Sequence, residues 1–335
     1  MQERRSADPL PHIPQIDCGP DFPIRSLAAA GAQAHAMLDL ATEGMPARML
    51  VAADWISRRW LEKSGSPYLA ELDAIATSLG RPGAYFLNVN YEWGCTVGLR
   101  PAADGRSVQL VRVLDWRTHG LGRHVMAARI SGLAGRWLGL TWPGFTGVLQ
   151  AVAPQRFAAA LNQAPMATPV GVMPLDWAVN RRRVWRMPHL TPAHLLRRTF
   201  EEARSFAEAR TLLIDTPVSA PAIFSLVGLT PDERCVIERL ERSAHLREGE
   251  AAASAANHWT CDWAGRPRGE QSERRAREML TARADLDDPG FSWLTPPILN
   301  ERTRLVMIAD PAQGQCLARG YESGGPATQP LRLAL

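Results

Sequence analysis

Cys95 lies between Gly94 and Thr96, and two charged residues follow it at a spacing that could serve its thiol, Arg112 and Asp115. A thiol attacks as the thiolate, and a nearby cation lowers the pH at which the thiolate forms. The turn Ala103-Asp104-Gly105-Arg106 predicts a hairpin with arms over 95–101 and 107–115. Residue 95 then begins one arm and residues 112–115 end the other. In an extended arm 112 and 114 share a face, so Asp115 reaches the thiol only where the strand ends or bends. On spacing alone a second reading stays open, because a free cysteine in a strand is commonly just a buried side chain.

Other chemistry has no comparable signal. The chain contains no GxxxxGK, HExxH or GxSxG motif. His119 and His124, and His189 and His194, are each five apart on segments containing glycine or proline, so neither pair shares a helix face. They read as surface or locally bonded histidines. The five cysteines, at 18, 95, 235, 261 and 316, form no CxxC pair. That argues against a disulfide framework and a zinc site, and no metal or cofactor is expected. Cys18, Cys235, Cys261 and Cys316 are expected to be inert, with Cys261 the nearest of them to the site. The net charge is +4, but Lys63 is the only lysine among 38 basic residues, a pattern of codon usage rather than phosphate binding. The run Arg181-Arg182-Arg183, followed by Val184, Trp185 and Arg186, reads as a solvated loop with one packed Trp. Nucleic acid is not an expected partner.

The elements that must position Cys95 divide the chain in two. It has 335 residues, 46% apolar and 21% charged, which suits a folded protein with a sizeable core. Residues 25–43 predict a helix, as do 46–63 and a third beginning after Ser66 and stopping at Gly80. From Pro82 the pattern predicts strands at 84–91, 95–101, 107–115, 145–153, 156–162, 169–173, 222–228, 234–239 and 304–310. Helices are expected over 191–212, where Thr191-Pro192 is a capping signal, and over 270–284. No run of about 18 apolar residues exists, so no transmembrane segment is expected. Met1-Gln2-Glu3-Arg4-Arg5 is followed by Pro9, Pro11 and Pro14 where a leader would be apolar, which predicts a cytoplasmic protein.

Residues 85–116 resemble the autocleavage region of the acid ceramidase and N-acylethanolamine acid amidase family of N-terminal nucleophile hydrolases. The matching residues are Asn88 or Asn90, Tyr91-Glu92, Cys95-Thr96, and Arg112-x-x-Asp115. The similarity continues through Gly144-Phe-Thr-Gly-Val-Leu, Leu161-Asn162-Gln163, Arg198-Thr-Phe-Glu-Glu, Ala220-Pro-Ala-Ile-Phe, Cys235-Val-Ile-Glu-Arg, Asn257-His-Trp, Arg274-Arg275 and Pro297-Ile-Leu-Asn, spanning about 85–320. The Gly94-Cys95-Thr96 junction is also similar to the penicillin acyltransferase branch of that superfamily, to which choloylglycine hydrolase is related.

The resemblance implies an α+β fold, a four-layer αββα sandwich over 95–335 preceded by a helical segment over 1–94. It implies that the chain cuts its own Gly94–Cys95 bond and that the two pieces remain an αβ heterodimer. Cys95 would then carry a free α-amine, with an ordinary pKa of about 7.7–8.0, beside a thiol near 8.5, so one residue supplies both base and nucleophile. Asp115 would hold the α-ammonium. Arg112 would acidify the thiol or orient Asp115. Asn257 would donate to the oxyanion, and Arg274 or Arg275 would complete the charge network. Trp116, Trp142, Asn162 and Gln163 are the candidate substrate contacts.

The expected reaction is hydrolysis of a linear amide, a lipophilic N-acyl amine of the N-acylethanolamine or ceramide kind, through a thioester. Two alternatives are an acyltransferase, in which an amine resolves the thioester, and a non-catalytic lipid-binding relative. One departure concerns Gln163, which stands where the family has a glutamate. Loss of that carboxyl predicts work nearer neutral pH.

Overall fold

A computed structural model describes residues 9–90 and 93–335. Tyr91 and Glu92 of the quoted motif, and Met1 to Arg5, lie outside the described residues. The strands are β1 (Gln15–Gly19), β2 (Trp93–Pro101), β3 (Val108–Trp116), β4 (Met126–Gly132), β5 (Gly135–Thr141), β6 (Gln150–Ala153), β7 (Phe157–Gln163), β8 (Ala222–Val227), β9 (Arg234–Arg239), β10 (Ala244–Glu248), β11 (Ala253–Ala255), β12 (Thr303–Asp310), β13 (Gln315–Glu322), β14 (Gly325–Pro326) and β15 (Leu331–Ala334). The helices are α1 (Ile24–Ala29), α2 (Gly31–Ala41), α3 (Ala47–Lys63), α4 (Leu69–Leu79), α5 (Ala84–Val89), α6 (Met173–Arg186), α7 (Pro192–Glu202), α8 (Phe206–Asp215) and α9 (Ser272–Thr281).

The strands form two sheets among the described residues. One runs β1-β4-β5-β6-β7-β8-β9-β10 and the other β11-β2-β3-β12-β13-β14, with β15 on β13. They pack face to face through a shared apolar layer that includes Val97, Leu99, Leu110 and Leu114 from the second sheet and Val152, Leu161 and Phe224 from the first. Helices α7 and α8 cover the outer face of the first sheet, and α9 that of the second. This is the expected αββα sandwich.

Strand alternation assigns the site residues to faces. On β3, Leu110 and Leu114 enter the layer between the sheets, while Val111 and Val113 join Met279 of α9 in a separate cluster. Arg112 therefore belongs to the inner face and Asp115 to the α9 face.

Several sequence expectations are corrected. Residues 84–89 are helical, despite their β-rich composition. The Asp54 carboxylate on α3 accepts the backbone N–H groups of Gly83 (2.6 Å) and Phe86 (2.8 Å), satisfying the start of α5 from outside it. That tertiary cap outweighs a weak local preference. Residues 169–173 are not a strand but lead into α6, which contains Arg181 to Arg183 in place of the expected loop. Helix 25–43 is broken at Ala30, and the helix expected over 191–212 divides after Glu202. The N-terminal segment is not wholly helical, since its β1 pairs in parallel with β4.

Candidate active site

The Gly94–Cys95 peptide lies inside β2. Gly94 pairs with Asp115 and Cys95 with Leu114 across the hairpin. Gly94 is not among the residues with positive φ, so the bond sits in regular strand rather than in the strained backbone glycine could have allowed. Strand β11 pairs with β2 in a register that ends at Ala255 opposite Val97. Two residues further on, opposite Cys95, Asn257 continues the pairing with its side chain. Its Oδ1 accepts the Cys95 backbone N–H at 2.7 Å.

The same Oδ1 accepts Arg275 Nη2 at 3.3 Å. Asn257 Nδ2 donates to the Gln163 carbonyl at 2.8 Å. Donors on one side and an acceptor on the other set the amide's orientation, and the second Nδ2 hydrogen remains for another acceptor. Ser272 Oγ accepts the Asn257 backbone N–H at 2.8 Å and anchors the turn that presents it.

Asp115 and Arg275 form a buried ion pair at 2.5 Å, with side chains 5% and 2% exposed. Thr303 donates to the other Asp115 oxygen at 3.0 Å, and Arg275 also contacts Thr96 Oγ1 at 3.3 Å. Gly269 closes over Arg275, since a Cβ there would stand 2.8 Å from Nη2. Arg274 points away, contacts Gln271 and Glu278, and is 58% exposed. Of the two candidate arginines only Arg275 enters the cluster.

The thiol occupies the other face of the sheet. Cys95 is fully buried, with Sγ 3.8 Å from the Leu161 carbonyl oxygen. Burial pushes its thiol up to about 12, opposed chiefly by the Arg112 charge. Arg112 is also fully buried and donates to Leu161 O (2.8 Å) and to Asn162 Oδ1. Both acceptors are neutral and its Nε has no partner. Burial works against its charge, and the Cys95 sulfur opposes that effect. A buried guanidinium without a carboxylate in contact is costly, and a thiolate at Cys95 would supply the anion it lacks. Asn162 also donates to Ala255 and Ala256 carbonyls at 3.2 and 3.0 Å, fastening the two sheets together beside the thiol.

Two cavities flank this cluster. One, of about 900 Å³, reaches Gly94, Asp115 and Arg275. The other, about 280 Å³, is bounded by Leu161, Asn162 and Gln163 and by the apolar Ile56, Trp60 and Val184. Trp93, Gln163 and Trp177 line both. Trp116 and Trp142 line a third cavity, against α2 and α5, and stand next to each other at 5.7 Å. Trp93 stacks on Trp116 at 5.6 Å. Cys261 donates its backbone N–H to Glu238 and is not in the cluster. Thr303, Ser272 and the Leu161 carbonyl were not predicted. Each is brought in by packing between distant segments, and no spacing marks it.

The fold has a solved counterpart. The Caenorhabditis elegans N-acylethanolamine-hydrolyzing acid amidase ortholog superimposes with a TM-score of 0.51 at 16% identity, over 71% of this chain and 100% of that one. This is an N-terminal nucleophile hydrolase fold. In sequence, the chain is similar to human acid ceramidase, 27% identical over 184 residues, and to the Pan troglodytes acid ceramidase at 26% over the same length. Each match takes in 52% of this chain and 45% of the relative, so the chain spans less than half the length of the curated relatives it matches. No family model matches the sequence. In sequence the chain is thus similar to acid ceramidase, and in fold to the amidase ortholog.

Proposed function

We propose that this acid ceramidase-like chain is a self-processing amidohydrolase whose nucleophile is Cys95. The observation carrying the proposal is the convergence of Asn257 Oδ1 on the Cys95 nitrogen (2.7 Å) and of Arg112 on the thiol layer, at a Gly–Cys bond that borders a large cavity. In processing, Cys95 Sγ attacks the Gly94 carbonyl carbon. The C–N bond breaks as the thioester forms, the Cys95 nitrogen takes up the proton, and water then releases the Gly94 carboxylate.

The new α-amine keeps Asn257 Oδ1 as its acceptor, and that oxygen is itself held by Arg275. Asp115 fixes Arg275. The amine takes the thiol proton, and the thiolate forms beside Arg112. The thiolate attacks the substrate amide, and the free Nδ2 hydrogen of Asn257 meets the oxyanion, a donor typically worth about 2.7–4 kcal/mol. The amine leaves with a proton, and water hydrolyses the thioester to the acid. The apolar wall of the cavity beside Leu161, built by Ile56, Trp60 and Val184, suits a lipophilic acyl group.

Intact-mass measurement tests the proposal. Fragments corresponding to residues 1–94 and 95–335 are expected, followed by acyl adducts on the larger one when amide is supplied. An uncut chain at every pH, with no adduct at Cys95, would sink it.

A further inference from the structure

Arginines outnumber carboxylates among the described residues that line the cavity at the Gly94–Cys95 bond. Three chain segments converge on it, and each brings arginine: Arg117 just after Asp115, Arg266, Arg268 and Arg275 around the start of α9, with Arg274 at the rim beside Glu278, and Arg302 before β12. Among the described residues the same wall carries three carboxylates, Asp115, Glu270 and Glu301. Asp115 is taken by Arg275, and Glu270 pairs with Arg302 at 3.0 Å. Among the described residues, neither Arg117 nor Arg266 has a carboxylate within ion-pair distance. Gln163, where the resemblance has a glutamate, adds no negative charge at the junction of the two cavities.

Several like charges around one concavity focus a positive potential into it, and a guanidinium binds a carboxylate through two parallel hydrogen bonds. The neighbouring cavity also carries Arg181 and Arg268, but its wall at Ile56, Trp60 and Val184 is apolar. A substrate lying across the cluster would therefore be lipophilic at one end and anionic at the other. We infer that the amine half of the substrate carries a carboxylate, so that the preferred amides are N-acyl amino acids rather than neutral N-acyl amino alcohols. This rests on the amidohydrolase reading above and narrows its substrate class. Arg117 and Arg266 are the specificity-determining residues.

The test uses the processed protein and two amides with one acyl chain, N-lauroylglycine and N-lauroylethanolamine. The expected kcat/KM for the glycine amide is at least about tenfold higher at low salt, through KM, and the ratio shrinks toward one at about 0.5 M sodium chloride as the charges are screened. Arg117→Gln with Arg266→Gln should remove most of that ratio, and Arg117→Lys with Arg266→Lys should retain part of it. Both residues are exposed, so the fold should tolerate the changes. Should a variant not fold, the salt dependence of the unaltered protein decides. Equal or better turnover of the ethanolamide, or a preference indifferent to salt, overturns the anion subsite and leaves the amidohydrolase reading standing. Turnover of neither amide, with no thioester on Cys95, overturns both.

Discussion

Cys95 and Asp115 belong to opposite faces of one sheet, although the hairpin brings their backbones together. The thiol lies in the inter-sheet layer with Arg112, while Asp115 and Arg275 pair at 2.5 Å under α9. The charge network therefore meets the Cys95 nitrogen, through Asn257, rather than the sulfur. Under the proposed mechanism, in which Cys95 supplies both amine and thiol, a different set of groups would serve it on each side.

Replacing the thiol separates chemistry from folding. Cys95→Ala should leave the chain folded and uncut, seen as one species by intact mass, with no amide turnover. Turnover surviving in this variant would mean that the nucleophile is misassigned.

The adjacent arginines should differ sharply. Arg275→Met leaves the Asp115 carboxylate buried without its cation, a loss of about 3–5 kcal/mol in urea unfolding. Processing should also slow. Arg274→Gln alters an exposed side chain, should change stability by no more than about 0.5 kcal/mol, and should be cut normally. Equal effects in the two variants would remove Arg275 from its assigned place.

The N-terminal piece should stay bound after cutting. β1 pairs with β4, and Glu71 on α4 makes two contacts, at 2.5 and 2.8 Å, with Arg197 of α7. Arg197 is 4% exposed. Co-elution of the two pieces in size-exclusion chromatography is expected. Glu71→Ala should lower stability by about 1–3 kcal/mol, less than a full buried-pair loss because Glu201 still contacts Arg197.

Acid should lower the stability of the fold through a buried histidine on the same helix. His194 on α7 is fully buried against Thr146 (2.8 Å) and Tyr68, and burial, aided by the Arg197 charge, pulls it down to about 3. Its folded pKa lies below the unfolded value of about 6.5, so unfolded chains bind the extra proton first. The stability this neutral histidine contributes is present above about pH 6.5 and is lost as pH falls toward 3. The slope is at most about 1.4 kcal/mol per pH unit. Urea midpoints from pH 7 to 4 should fall less steeply for His194→Gln than for the unaltered chain.

Much of the site was legible because a hairpin is local. The turn at Asp104-Gly105 and the period-two pattern place Cys95 near Arg112 to Asp115, and β2 and β3 form that ladder. Gly80 ends α4 in the left-handed conformation expected of it. The choice between Arg274 and Arg275 was open because both fall at the start of one helix, and only docking of α9 on the sheet buries one of them. Residues 84–89 misled for the same reason, since the group that caps their helix, Asp54, lies on another helix.

The sequence alone determined the nucleophile candidate, its hairpin partners and the sandwich class, all of which rest on short spacing, strand alternation or motif likeness. Tertiary structure decided which face each group serves, which arginine reaches Asp115, and what the cavity walls are made of. The contacts that carry those decisions join residues far apart in the chain, 162 positions for Cys95 to Asn257 and 160 for Asp115 to Arg275. Such contacts are set by how two sheets and a helix pack, not by the local preferences of the residues that make them.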